Sequence, residues 1–139
     1  MVLKMDQEAL TAFLAQDFSE VADEFVVGRV DETGLDLRLC VNLRHLRPGA
    51  TVSGPTIFAL ADVAMYLAIL SRIGPLALTV TTSASIDFLR KPVAGRDITG
   101  TARILKLGRV LVVGDVLIYS DGLAEPVARA SLTYSIPPR

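Results

Sequence analysis

A long apolar run, PTIFALADVAMYLAIL, spans residues 55–70 and constrains this chain more than any other feature. A membrane-spanning helix needs about 20 apolar residues, whereas this run is shorter, is stopped by Arg72 and carries Asp62 near its middle. A carboxylate is costly at the centre of a bilayer. The N-terminus turns acidic within a few residues, which does not fit a signal peptide. We therefore expect a soluble, cytoplasmic protein with no membrane partner.

The same run predicts a buried core helix over residues 56–73. A helix that is apolar on nearly every side must be buried all round. Its alanines would let a β-sheet approach closely, and Gly74 and Pro75 end it. The whole chain is 51% hydrophobic, and we expect a homo-oligomer, a dimer or a tetramer, to cover the remaining apolar surface.

The segments around this helix predict a second helix and six strands. Asp6 can cap a helix over residues 6–18, where apolar side chains fall at helical spacing. Period-two alternation and turn signals then predict strands at 25–30, 35–43, 76–89, 97–107, 110–119 and 127–136, with a loop at 45–55. The order predicts an α+β fold in which a long antiparallel sheet wraps one central helix. We expect one domain over 1–139, with an N-terminal helical segment at 1–22 and a core at 25–136.

Charge and composition exclude several classes of function. The chain has 14 basic and 15 acidic residues, so it lacks the basic excess of a nucleic-acid-binding surface. It has one cysteine, Cys40, and one histidine, His45, which argues against a disulfide framework and against a metal site. We expect no metal and no resident cofactor. Cys40 is expected to be an ordinary strand thiol.

Asp62 is the candidate for chemistry because it is the only charge within the apolar run. It could act as a general base or nucleophile that faces a cleft. Alternatively, it is a structural carboxylate bonded to nearby hydroxyls or backbone. Gly54 lies at the start of the helix, where a free N–H could polarise a substrate carbonyl. Ser53 and Pro55 also have the composition of an ordinary helix cap and first turn, and both interpretations can hold together.

The segment SGPTIFALADVAMYLA resembles the start of the central helix in hotdog-fold acyl-CoA thioesterases of the phenylacetate-degradation (PaaI) type. Gly54 and Asp62 keep the eight-residue spacing that this family shows between its loop glycine and its acid. The later segment SIDFLR at 85–90, followed by Gly95, resembles the family's next strand and turn. The resemblance covers residues 25–136. It implies the hotdog fold and hydrolysis of an acyl-CoA thioester to a free acid and coenzyme A, which enters only as part of the substrate.

The resemblance also assigns residues around the reaction. The family's His-Gly-Gly loop reads Ser-Gly-Pro at 53–55, and Arg47 stands where many members carry an asparagine. A hydroxyl on the strand after the helix helps to hold the water, which implies Thr81, with Thr82 as the adjacent alternative. Ser53, Arg47 and His45 would then contact substrate. His45 could instead be a plain surface residue.

The spacing of Gly54 and Asp62 predicts a site shared by two subunits. Eight residues of helix separate them by about 12 Å, so one thioester carbonyl cannot touch both. A two-fold dimer would supply Gly54 from one subunit and Asp62 from the other. The phosphates of coenzyme A call for cations near the cleft, and the candidates are Arg90, Lys91, Lys106 and Arg109, each of which could equally be a solvated turn charge.

Two other functions stay open at this stage. The differences at residues 47, 53 and 55 favour a non-catalytic hotdog protein that binds an acyl or CoA ligand. A dehydratase on the same fold ranks third, because that chemistry needs a catalytic histidine paired with an acid, and His45 is not at the helix start.

Overall fold

The computed structural model describes residues 3–138 and begins with an amphipathic helix. Helix α1 spans Gln7–Asp17. The Asp6 carboxylate caps it and accepts the Ala9 N–H at 2.9 Å. One face of α1 is buried against the core through Leu10, Phe13 and Leu14, as the helical spacing predicts.

The strands form one large antiparallel sheet and one short pair. They are β1 (Phe25–Asp31), β2 (Gly34–Leu39), β3 (Leu46–Arg47), β4 (Thr51–Val52), β5 (Val80–Phe88), β6 (Ile98–Leu107), β7 (Leu111–Ser120) and β8 (Ala128–Ser135). The large sheet has six strands in the order β1-β2-β6-β7-β8-β5, and the short strands β3 and β4 pair with each other.

Helix α2, Gly54–Ile73, packs against β2, β6, β7 and β8 of this sheet. By length and composition α2 could cross a membrane, but 67% of its most apolar window is buried inside the fold. The sheet approaches the helix so closely that a Cβ on Gly114 would lie 2.4 Å from Met65 Cε. The predicted α+β architecture, with a long antiparallel sheet around one central helix, is confirmed.

Two predicted strands are too long. The second was expected to run to residue 43, but β2 ends at Leu39. The Cys40 N–H still follows the β1 register by donating to the Glu24 carbonyl at 2.8 Å, but the next amide, the Val41 N–H, donates to the Asp97 carboxylate at 2.9 Å. A short 3-10 turn then follows at Leu43–His45. The next predicted strand was expected from residue 76, but β5 begins at Val80. The four residues before it form a turn closed by a hydrogen bond from the Thr79 N–H to the Leu76 carbonyl.

The predicted loop over residues 45–55 also has regular structure. Strands β3 and β4 pair Leu46 with Val52 and Arg47 with Thr51. The central helix then begins at Gly54 rather than at Thr56, because Ser53 provides its N-cap. Since Ser53 N–H also donates to the His45 carbonyl at 2.8 Å, the small hairpin holds the start of α2 in place.

Strand β5 forms one edge of the six-stranded sheet. It pairs with β8 on one side, and the other edge of β5 meets no further strand among residues 3–138. Its side chains are almost all exposed, including Val80 at 52% and Phe88 at 55%. A long edge with exposed apolar residues is a template for pairing with another strand.

Candidate active site

Asp62 lies on α2 where this helix faces the start of β5 and the end of β8. Its carboxylate oxygen Oδ1 accepts two hydroxyl hydrogen bonds, from Thr81 at 2.7 Å and from Tyr134 at 2.5 Å. Both donors are neutral, so they orient the carboxylate without pairing its charge. The other oxygen, Oδ2, has no hydrogen-bond partner within the described part of the chain, residues 3–138. Asp62 is therefore held at one oxygen and available at the other.

Tyr134 is the more deeply buried of the two donors, with an exposed fraction of 2%. Burial, together with the hydrogen bond to Asp62, raises the pKa of Tyr134 far above its ordinary value. The phenol therefore stays protonated and acts as a donor at every working pH. Its hydroxyl also lies 2.7 Å from the Asp62 carbonyl oxygen, so it links β8 to both the backbone and the side chain of this residue.

A cavity of about 330 Å³ opens beside Asp62. Its walls come from α2, from the end of α1, and from the turn and strand that follow α2. They are mostly apolar or aromatic, and the lining residues are Phe18, Asp62, Val63, Tyr66, Ala77, Thr79, Val80, Thr81 and Tyr134. A concave apolar site with a few convergent polar groups is the usual form of a small-molecule site.

The start of α2 forms a second feature, about two helical turns away from Asp62. Ser53 caps the helix through its hydroxyl, which lies 3.4 Å from the Thr56 N–H and 2.9 Å from the Thr56 hydroxyl. Gly54 and Pro55 occupy the first helical turn, where backbone N–H groups have no partner within the helix. The Phe88 ring packs against Gly54 so closely that an added Cβ would lie 3.3 Å from its Cζ.

Gly54 lies in a groove of about 600 Å³ that carries several positive charges. Arg47, Arg90 and Lys91 all line it, together with Phe88 and its neighbours in the turn after β5. Arg90 is partly engaged, since its guanidinium contacts the Pro126 carbonyl and lies 3.7 Å from Glu125. The structure thus brings Gly54, Arg47, Arg90 and Lys91 to one surface, as expected for a site that holds an anionic group.

His45 fits neither of the two roles expected for it. It is buried, with an exposed fraction of 6%, so it is not a surface residue. Its Nδ1 accepts the Asn42 N–H at 2.9 Å, and its Nε2 lies 3.3 Å from Glu24 Oε1. Both ring nitrogens are therefore engaged inside the fold, and His45 is not available to a substrate. Burial, and then the nearby charge of Arg44, lower the pKa of His45.

The remaining predicted residues lie in separate places. Thr82 points away from Asp62, and its hydroxyl donates to the Thr133 carbonyl at 3.3 Å. Lys106 lies near the exposed end of β6. Arg109 lines a different cavity, next to Val110 and residues 135–138. Of the two threonines that the sequence left open, only Thr81 contacts Asp62.

Of the nine residues that line the Asp62 cavity, the sequence predicted only Asp62 and Thr81 as site residues. The aromatic and polar side chains among the other seven are Phe18, Tyr66, Thr79 and Tyr134. The Tyr66 hydroxyl donates to the Ala77 carbonyl at 2.9 Å, and burial raises the pKa of Tyr66 to about 12. The Thr79 hydroxyl is buried without a hydrogen-bond partner among residues 3–138. One sequence feature could have indicated Tyr134, because a tyrosine at a core-facing strand position needs a hydrogen-bond partner for its hydroxyl.

The described part of the chain offers no evident metal site. Among residues 3–138, no group of three or more His, Cys, Asp or Glu side chains could hold an ion. Asp62 is surrounded by hydroxyls and aromatic rings instead. The side chains at this site therefore provide a carboxylate oriented by neutral donors.

Comparisons with known proteins identify relatives of this chain. Residues 49–127 match the family described as the thioesterase superfamily. A proposed thioesterase from Silicibacter sp. TM1040, a crystal structure, is 51% identical, with a TM-score of 0.92, and the match covers 99% of this chain and 96% of that chain. A mutant of the phenylacetic acid degradation protein PaaI from Thermus thermophilus is 25% identical, with a TM-score of 0.72 over 88% of this chain and 100% of that chain.

A further structure shares the fold at lower identity. Zebrafish thioesterase superfamily member 2 is 22% identical, with a TM-score of 0.80 over 99% of each chain. No curated protein gives a significant match to this chain.

Proposed function

Because this chain belongs to the thioesterase superfamily and has its hotdog fold, we propose that it hydrolyses an acyl-CoA thioester to a free acid and coenzyme A. The observation that carries this proposal is the arrangement at Asp62. One carboxylate oxygen is fixed by Thr81 and Tyr134 at the mouth of an apolar cavity, and the other is available for chemistry.

In the proposed reaction, Asp62 acts as general base or as nucleophile. As a base, Oδ2 takes a proton from a water molecule, and the hydroxide adds to the thioester carbonyl carbon. The C–S bond then breaks, and the leaving sulfur takes that proton to give free coenzyme A. As a nucleophile, Asp62 displaces the thiolate and forms an anhydride that water then hydrolyses. In both routes the Thr81 hydroxyl holds Oδ1 at 2.7 Å and so helps to orient Oδ2 towards the reacting atoms.

Charge that develops on the carbonyl oxygen needs a donor, and we assign this role to the Gly54 N–H. The start of α2 carries unpaired N–H groups and the positive end of the helix dipole. Within one chain, however, Gly54 and Asp62 are eight residues apart on α2, which corresponds to about 12 Å. The donor must therefore come from a second copy of the chain.

The exposed edge of β5 supports such a pairing. Asp62 bonds Thr81 near the start of this strand, and Gly54 packs on Phe88 at its end. Two copies of β5 that pair antiparallel about Ala84 would set Val80 of one copy opposite Phe88 of the other. Gly54 of the partner subunit would then lie beside Asp62. The pairing would also cover the exposed apolar side chains on this edge.

The groove at Gly54 suits the phosphates of coenzyme A. Arg47, Arg90 and Lys91 line it on the same side as the proposed carbonyl donor, and guanidinium groups bind phosphate through paired hydrogen bonds. Lys106 and Arg109 lie outside this groove. Arg109 lies next to Ser135, which pairs with Val80 at the start of β5, whereas the groove lies at the Phe88 end of this strand. Antiparallel pairing of two β5 strands would therefore bring Arg109 of one copy towards the groove of the other.

A non-catalytic acyl-CoA-binding protein is the second candidate. It is favoured by Arg47, which places a cation beside Gly54 where many family members have an asparagine. A dehydratase has less support, because the chain's single histidine, His45, is buried against Glu24 and Asn42.

Free-thiol release from a panel of acyl-CoA thioesters tests the proposal. We expect turnover by the wild type and a loss of about 100-fold or more in kcat for Asp62→Asn, since a positioned base supplies roughly this factor. The control is Asp23→Asn, an exposed carboxylate before β1. Thiol release by Asp62→Asn at the wild-type rate would contradict the role of Asp62. A wild type that binds acyl-CoA and releases no thiol would support the second candidate instead.

A further inference from the structure

The α2 residues that line the cavity, Asp62, Val63 and Tyr66, extend from Asp62 along the helix away from Gly54. Tyr66 follows Asp62 on the same helix face, four residues and about 6 Å further along the axis. The Phe18 ring packs edge-on against Tyr66, with the centroids 5.6 Å apart and the planes at 75°. Among the α2 residues that line the cavity, Asp62 is therefore nearest to Gly54, and Phe18 forms the wall beside Tyr66, the one farthest from it.

Phe18 is held in this position by the end of α1. It is the C-cap residue of α1, and its N–H donates to the Leu14 carbonyl at 2.9 Å. Its partner Tyr66 is fixed in turn by the hydrogen bond from its hydroxyl to the Ala77 carbonyl. The wall that Phe18 forms is therefore fixed in position. Phe18 lies outside residues 49–127, the part of the chain that matches the thioesterase superfamily.

The walls between Asp62 and Phe18 favour a hydrocarbon group, since Val63, Ala77 and Val80 line them together with the tyrosine rings. The cavity volume is about 330 Å³. At roughly 30 Å³ for each water-sized group, this space holds about ten carbon-sized groups. An acyl chain whose carbonyl lies at Asp62 would extend along α2 and end at the Phe18 ring.

We propose that Phe18 is a specificity-determining residue that limits the length of the acyl group. This inference rests on the proposed acyl-CoA site at Asp62. It assigns a function to the end of α1, which lines the cavity through Phe18. It also predicts that the acceptable chain length changes with the size of the side chain at position 18, with the catalytic groups unchanged.

Binding of S-alkyl-CoA thioethers tests this directly, because these compounds have no carbonyl and cannot be hydrolysed. Calorimetry with chains of increasing length gives the affinity for each added methylene. For the wild type we expect affinity to rise about four-fold for each buried CH₂ and then to level off. In Phe18→Ala the plateau should move to chains about three carbons longer, since a ring-sized space opens. Phe18→Trp should move it to shorter chains.

Phe13→Ala is the matched control. Phe13 contacts both Phe18 and Tyr66, with centroid distances of 6.5 and 6.1 Å, yet it does not line the cavity. It should cost stability and leave the plateau in place. An equal shift in Phe13→Ala would show that loosened packing, not the wall, sets the length, and this would overturn the inference.

The binding assay separates this inference from the proposed hydrolysis. If the plateau moves as expected and no thiol is released from any acyl-CoA, Phe18 still sets the chain length of a binding protein, and only hydrolysis fails. If the plateau stays at the same length in both Phe18 variants, or if no thioether binds, the inference is overturned. In an active enzyme, kcat/KM should follow the same shift.

Discussion

The Tyr134 hydroxyl lies 2.5 Å from the Oδ1 atom of Asp62, although the two residues are 72 positions apart in the sequence. Tyr134 is on the last strand and Asp62 is on the central helix. The contact fixes the carboxylate of the helix against the sheet. Because burial keeps the phenol protonated, this donor is permanent, and Asp62 needs no cation to hold its orientation.

Tyr134→Phe should therefore reduce activity more than it reduces folding. The ring that fills the core remains, and only the hydroxyl on Asp62 is lost. We expect kcat to fall about 10-fold or more and the free energy of unfolding to fall by about 1 kcal/mol, the net value of one hydrogen bond. Steady-state kinetics and urea unfolding measure the two effects. Activity equal to the wild type would mean that Tyr134 does not orient the carboxylate for catalysis.

Thr81→Val should lower kcat, while Thr82→Val should have little effect. The two variants make the same chemical change at adjacent positions of β5. Only the Thr81 hydroxyl reaches Asp62, at 2.7 Å, while the Thr82 hydroxyl donates to the Thr133 carbonyl. Parallel measurements of kcat and KM for both variants give the comparison. Equal losses of kcat would remove the assigned role of Thr81 in orienting the Asp62 carboxylate.

The free energy of unfolding should fall as the pH is lowered from about 7.5 towards 5.5. Burial lowers the pKa of His45 below its ordinary value of 6.5, and the charge of Arg44 acts in the same direction. The unfolded chain therefore binds more protons than the folded one in this range. The stability that the neutral His45 contributes is fully present above the pKa of His45 in the unfolded chain. It is lost as the pH falls through the lower pKa of His45 in the folded chain. Urea midpoints at several pH values measure it.

His45→Gln provides the control for this pH dependence, because His45 is the only histidine in the chain. The variant should be less stable at pH 7.5, since the Asn42 N–H loses its imidazole acceptor. Its stability should then change little down to pH 5.5. The same slope in the variant as in the wild type would show that carboxylates near His45, such as Glu24, cause the effect instead.

Local patterns predicted the helices and most strands well, because their periodicity has a direct physical cause. The errors lie where hydrogen bonds depart from an unbroken pattern. Apolar alternation continues to Leu43, yet the Val41 N–H bonds the Asp97 carboxylate instead of a strand carbonyl, and β2 has already ended. The residues before Val80 have β-propensity, but the Thr79 N–H closes a turn.

The residues of the candidate site likewise include some that local sequence features predict and some that depend on distant contacts. Asp62 could be singled out because a charge within an apolar run is costly and needs a reason. Gly54 follows from the helix start, which is also a local feature. Tyr134 and Phe18 could not be placed, because their contacts join the helix to elements far away in the sequence. His45 was misassigned for the same reason, since its partner Glu24 lies outside its loop, before the first strand.

The central claim is that each site takes Asp62 from one subunit and Gly54 from its partner. A test of this claim uses two variants that are each expected to be inactive. Asp62→Asn removes the carboxylate, and Gly54→Pro removes the N–H at a helical position where no intrahelical bond is lost. Gly54→Ala is the matched control, because it adds a Cβ at the same distance from the Phe88 ring and keeps the N–H.

The most direct measurement is thiol release by a co-refolded mixture of Asp62→Asn and Gly54→Pro chains. In a mixed dimer, one site would combine an intact Asp62 with an intact Gly54, while the other site would have neither. With random pairing, the account predicts recovery to about a quarter of wild-type activity, although each variant alone is inactive. A mixture that stays inactive while mixed dimers form, as judged by native mass spectrometry, would contradict the shared site.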